Sequence, residues 1–171
     1  MLIETAGIVL ISDIDAHEIA ENLWQGAFPP PGASVRDAGF DTIVLCAREL
    51  QMPTDAYPGV RIVYAPNDDS VQFPLTREKL RVAIQAAAEA KKDVQAGRRV
   101  LVTCAAGLNR SGLVSALILH QLFGWAGSEC VRVVRAKRVG SKRHPGRALC
   151  NAEFTAAIRR LGARSEPQRF R

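Results

Sequence analysis

Cys104 and Arg110 stand at the two ends of the run Cys104-Ala105-Ala106-Gly107-Leu108-Asn109-Arg110-Ser111, a Cys-x5-Arg-Ser pattern between an apolar stretch, Val100-Leu101-Val102, and a second apolar stretch that begins after Gly112. Residues of these types at this spacing can do nucleophilic chemistry on an oxyanion. Ala105, Ala106 and Gly107 are small enough for successive backbone N–H groups to turn to one side, with Leu108, Asn109 and Arg110 extending the cradle. A helix starting there adds unpaired N–H groups and a dipole that favours negative charge. The same field favours a thiolate at Cys104. Arg110 can grip two equatorial oxygens of a phosphate with a planar fork that lysine lacks. Ser111 can donate a hydrogen bond to the sulfur and ease its departure in a second step.

Spacing alone is weak: with 4 Cys and 18 Arg in 171 residues, about 0.4 Cys-x5-Arg pairs arise by chance, and about 0.003 once Gly107 and Ser111 are required. Placement between a strand and a helix sharpens it. Apolar runs alternate with helical periods, the α/β pattern of a mostly parallel central sheet flanked by helices. Strands are predicted over 7–12, 22–25, 41–46, 60–65 and 99–103. Leu80, Ala83, Ile84, Ala87 and Ala88 recur at helical spacing, with Thr76 as N-cap and Gly97 beyond the end, which predicts a crossover helix. Further helices are predicted over 111–122, 127–137 and 151–161. Pro29, Pro30 and Pro31 mark one surface loop and residues 140–146 a second, basic one. With no repeat and no dividing linker, one domain is expected, its core over 14–162 and a basic tail over 163–171.

A chain that is 47% apolar and 23% charged is neither fibrous nor disordered. Charge is uneven: residues 1–130 hold 11 Lys and Arg against 15 Asp and Glu, while 131–171 hold 12 against 2. The basic quarter implies either an anionic partner, RNA or acidic lipid, or a solvated helix face. Four cysteines without a CxxC pair exclude a zinc module and a secreted disulfide scaffold. The apolar stretch over 7–11 is too short for a membrane span and lacks a basic leader, so a cytoplasmic protein is expected. His17, His120 and His144 lack metal-ligand spacing, and Trp24, Cys130 and Cys150 read as packing residues.

The loop resembles the signature of the protein tyrosine phosphatase superfamily, its dual-specificity branch in particular. The likeness extends to Leu23-Trp24-Gln25-Gly26, to the run from Gly39 to Glu49, and to Val134-Arg135 with Pro145-Gly146-Arg147-Ala148-Leu149-Cys150-Asn151 and Phe154, about residues 14–162 in all. It implies a cysteine-dependent phosphatase fold that needs no cofactor or metal, with Cys104 forming a phosphocysteine and Arg110 clamping the phosphate of a phosphorylated protein. It also implies a loop aspartate as general acid. The branch commonly places this residue six positions before a leucine that leads into the crossover helix, which points from Leu75 to Asp69, with Asp68 the alternative. Arg138 is a candidate to hold a second anionic group of the substrate. Thr103 replaces the histidine usual before the nucleophile, so a slower enzyme or a more alkaline optimum is expected.

Cys46 ends a strand expected to run parallel to that of Cys104, which makes it either a buried hydrophobe or a resolving thiol under oxidation. Asn109 before Arg110 also resembles the branch's RNA 5′-phosphatases, a rival reading that an anhydride leaving group would free from any acid. A phospho-binding module without turnover is a second rival.

Overall fold

The computed structural model describes residues 14–70 and 72–164; the strand predicted over 7–12 and most of the basic tail lie outside them. The order is β1 (Ala16–Ala20), β2 (Leu23–Ala27), α1 (Ser34–Asp37), β3 (Thr42–Ala47), a 3-10 turn (Arg48–Leu50), β4 (Arg61–Asn67), α2 (Arg77–Gln95), β5 (Val100–Cys104), α3 (Arg110–Phe123), α4 (Gly127–Lys137) and α5 (Ala152–Arg159). The strands form one sheet in the order β1-β2-β5-β3-β4, parallel throughout except that β1 pairs antiparallel with β2.

The central strands β3 and β5 are buried along their whole length, as expected of a parallel sheet covered on both faces. Side chains alternate between the faces. Val44, Cys46, Val100, Val102 and Cys104 pack with α2, α3, α4 and α5, while Ile43, Leu45 and Leu101 pack with Trp24, Phe40 and Tyr57 on the other side. α2 is the predicted crossover helix, and its Thr76 N-cap accepts a hydrogen bond from Lys79 N at 3.2 Å. Twelve of the fourteen residues of α3 are buried, and it stops at Gly124 in the left-handed region (φ 68°). None of the described helices is long and apolar enough to cross a membrane.

Parallel pairing brings the C-terminal ends of β2, β3, β4 and β5 to one edge of the sheet, where ligand sites gather in α/β folds. Cys104 ends β5 there, in register with Ala27 of β2 and one residue beyond the pair Leu45 and Thr103 of β3 and β5. Three elements have no counterpart in the sequence reading: β1, α1 and the 3-10 turn. The 3-10 turn reaches Arg110 through Glu49, and β1 reaches Arg138 through His17.

Candidate active site

Residues 105–109 turn from one buried element into another, so the path of the loop is fixed at both ends. Gly107 has a φ of 71°, and a Cβ on it would lie 2.2 Å from the carbonyl carbon of Gly26. Only glycine lets the loop rest on β2 this closely. Four consecutive loop carbonyls are then held from behind. Ala105 O accepts from Phe28 N (3.4 Å), Ala106 O from Arg138 Nη2 (3.1 Å), Gly107 O from Gln25 Nε2 and Arg138 Nε (3.0 Å each), and Leu108 O from Leu149 N (3.1 Å). In a planar trans peptide the N–H points opposite to the C=O, and no described peptide is cis. The N–H groups of Ala106, Gly107, Leu108 and Asn109 are thereby turned to the concave side of the loop, which makes a nest for an anion.

Cys104 is buried, and its Sγ lies 3.3 Å from Ser111 Oγ in the first turn of α3. Arg110 opens the same helix and is also buried. Its Nη1 donates to Glu49 Oε2 (2.6 Å) and to Asn67 O (3.3 Å), while its Nε is buried with no acceptor. Such an orphaned donor costs about 1–3 kcal/mol, which an oxyanion in the nest would relieve. Burial opposes the charge of Arg110, but the Glu49 hydrogen bond and the charges of Cys104, Glu49 and Asp69 outweigh it and raise its pKa. In return the Arg110 hydrogen bond holds the Glu49 carboxyl below the usual carboxylate range.

The two loop aspartates part company. Asp69 Oδ2 accepts from Asn109 Nδ2 (3.0 Å) and its Oδ1 from Asn151 Nδ2 (2.8 Å), which docks it on the loop. Asn109 Oδ1 in turn accepts from Asn151 N (3.1 Å), the N-cap of α5. Asp68 instead pairs with Lys79 (2.7 Å) and Arg48 (3.1 Å), and the Lys79 hydrogen bond chiefly holds its carboxyl low. It is a structural ion-pair hub beside the site.

Two sequence-based expectations change, those for Arg138 and Cys150, and the two readings of Cys46 are narrowed to one. Arg138 does not face the substrate: it is 1% exposed, and besides its two loop carbonyls its Nη1 donates to Asp15 Oδ1 (2.7 Å) and His17 Nδ1 (2.8 Å). The reason is β1, which covers the end of α4 and brings those partners. Cys150 is exposed rather than packed, with its thiol on Asn109 Oδ1 at 3.4 Å. Cys46 is wholly buried, and burial followed by the charge of Cys104 pushes its thiol well up, which leaves it a hydrophobe in the core. Sequence reasoning missed Glu49, Asn67, Gln25 and Asn151. Only Gln25, a polar residue inside an apolar strand, carried a local signal.

No family model and no curated protein matches the sequence. Solved structures do. A mutant form of Tk-PTP is 25% identical, with a TM-score of 0.68 over 86% of this chain and 93% of that one. Human DUSP28 is 22% identical, with a TM-score of 0.67 over 92% and 96%. A mouse dual specificity phosphatase complexed with zinc tungstate is 22% identical, with a TM-score of 0.68 over 92% of each chain. The fold is the one these tyrosine and dual-specificity phosphatases share. Within this phosphatase fold Thr103, at the position where histidine is usual, is fully buried and donates from Oγ1 to Val44 O at 3.1 Å. It ties β5 to β3 directly behind Cys104.

Proposed function

We propose that the protein is a cysteine-dependent phosphomonoesterase of the dual-specificity type, acting on phosphorylated protein in the reducing cytoplasm, where a thiol nucleophile survives. The Cys104 thiolate attacks phosphorus in line, forming the P–S bond as the P–O bond to the leaving group breaks. Asp69, protonated, gives its proton to the leaving oxygen. Asp69 then takes a proton from water as that water attacks phosphorus and the P–S bond breaks, releasing phosphate and a thiolate that Ser111 stabilises. The loop N–H groups and Arg110 stabilise the equatorial oxygens in both steps.

The docking of Asp69 on the loop carries this reading. Asn109, the residue that drew the sequence toward RNA 5′-phosphatases, serves here as the support of the acid. An anhydride-cleaving enzyme needs no such acid, so Asp69→Asn decides between them. A monoesterase loses about 10²–10⁴-fold in kcat, Asp68→Asn loses far less, and an unchanged Asp69→Asn rate on triphosphate-ended RNA would favour the RNA enzyme.

The primary test is hydrolysis of p-nitrophenyl phosphate with reductant and no added metal, comparing the unsubstituted chain with Cys104→Ser across pH. Activity that vanishes in Cys104→Ser is expected. A folded protein without activity at any pH would overturn the assignment in favour of a binding module.

A further inference from the structure

The basic quarter of the chain does not spread its charge evenly. Ser128, Arg132 and Arg135 recur along one side of α4, and with Arg147 and Arg159 they line an open groove of about 430 Å³. Of its four guanidinium groups, only that of Arg132 pairs with a carboxylate among the described residues, donating from Nε to Glu129 Oε2 at 2.8 Å. Arg147 and Arg159 are exposed, and neither forms an ion pair or side-chain hydrogen bond among the described residues. Arg135 donates from Nη2 to Leu149 O at 2.8 Å, but its Nε is buried with no acceptor. Burial, then the charges of Arg147 and Arg159, lower the pKa of Arg135 against a smaller opposing pull from Cys150, so like charges crowd this groove.

The groove is not the catalytic loop. Arg159 ends α5 and Asn151 caps its start beside Asp69, about 12 Å apart at 1.5 Å per residue. Its volume falls in the range of small-molecule sites, about 300–1,000 Å³, and far exceeds the roughly 30 Å³ of one water. A lone inorganic ion would leave it mostly empty. Planar guanidinium forks bind phosphate oxygens bidentately, and four of them in one groove suit a ligand that carries several negative charges. We propose that this groove is a second binding site for a compact ligand bearing two or more phosphate groups, either a soluble oligophosphate or the polyphosphorylated head group of a lipid. The site stands whether or not Cys104 turns over.

Calorimetric titration of inorganic tripolyphosphate into the full chain carrying Cys104→Ser tests it. Two sites per chain are expected, one in the catalytic loop and one in the groove. Adding Arg147→Gln and Arg159→Gln, both on the surface, should weaken one site about tenfold or more, the factor carried by 1.4 kcal/mol, and leave the other. The charge-matched pair Arg77→Gln and Arg81→Gln on α2 should leave both. A single site in the chain with its arginines intact, or equal weakening by the two pairs, would overturn the proposal. Sedimentation with phosphatidylcholine vesicles containing phosphatidylinositol bisphosphate, lost in the Arg147→Gln, Arg159→Gln chain, identifies the head group. Groove-dependent binding of inositol hexakisphosphate without vesicle binding identifies the soluble ligand, and groove-independent binding of both sinks the site.

Discussion

Arg110 must hold still while free to bind. Its Nη1 is committed to Glu49 and Asn67 O, and its Nε is left without an acceptor, so the protein anchors one edge of the fork and leaves another donor for phosphate. Glu49 is thus a positioning residue for the clamp, and its own side chain is half-exposed at 55%, so its pairing is screened and its role is orientation more than energy. Glu49→Ala should cost about tenfold in kcat/KM for p-nitrophenyl phosphate, the effect of about 1.4 kcal/mol, by letting the fork swing. Glu49→Gln keeps an oxygen acceptor for Nη1 and should recover most of the loss. If Gln is as damaging as Ala, the charge of Glu49 and not its hydrogen bond is what the clamp needs.

Elements far apart in sequence hold the loop, and this set what the sequence could disclose. The placement of the Cys104 to Ser111 loop between a strand and a helix was legible because its parts are local, and the helices were legible because caps and apolar spacing are local too: α4 lies where the periodicity puts it, and α2 starts at its Thr76 cap. β1 was not. Ala16–Ala20 carries His17 and Glu18 and has little alternation of its own, so it becomes a strand by pairing with β2, a context effect that propensity does not contain. Missing β1 is what misassigned Arg138, whose partner Asp15 lies 123 residues away. Likewise Glu49 meets Arg110 across 61 residues and Asp69 meets Asn109 across 40. Removing the pillar tests this account. Arg138→Met leaves Asp15 without its ion pair and loses two loop-carbonyl bonds, which should cost about 3 kcal/mol in urea unfolding. Under conditions where the variant is still folded, it should raise KM for p-nitrophenyl phosphate, because the N–H groups are no longer turned inward. Wild-type KM in the folded variant would show that the loop holds its shape without the pillar.

Across the whole molecule the paired acids and His17 respond to pH with one sign. Burial works to raise Asp93, which joins the end of α2 to β3 and β4, but hydrogen bonds from Thr42, Arg98 and Arg61 overcome it and hold the carboxyl low. Burial likewise opposes the charge on Asp15, and Arg138 and Ser141 overcome it. The Arg110 hydrogen bond is the largest influence on Glu49 and lowers it. Carboxyls lowered in the fold lend stability above their unfolded values, near 4, and lose it as pH falls through the folded ones. His17 acts earlier. Arginine has no acceptor, so in the 2.8 Å contact Arg138 donates and His17 Nδ1 accepts, which requires a neutral ring. Burial, then the charge of Arg138, hold its pKa below 6.5 against the pull of Asp15. The unfolded chain therefore takes up this proton first, and stability starts to fall as pH drops below about 6.5, well before the acids titrate. Urea midpoints should decline between pH 7 and pH 5.5 and decline further toward pH 4. In His17→Gln, whose Oε1 accepts from Arg138 without titrating, the first decline should shrink while the second persists. A first decline of unchanged size in His17→Gln would move its origin away from the pillar behind the loop.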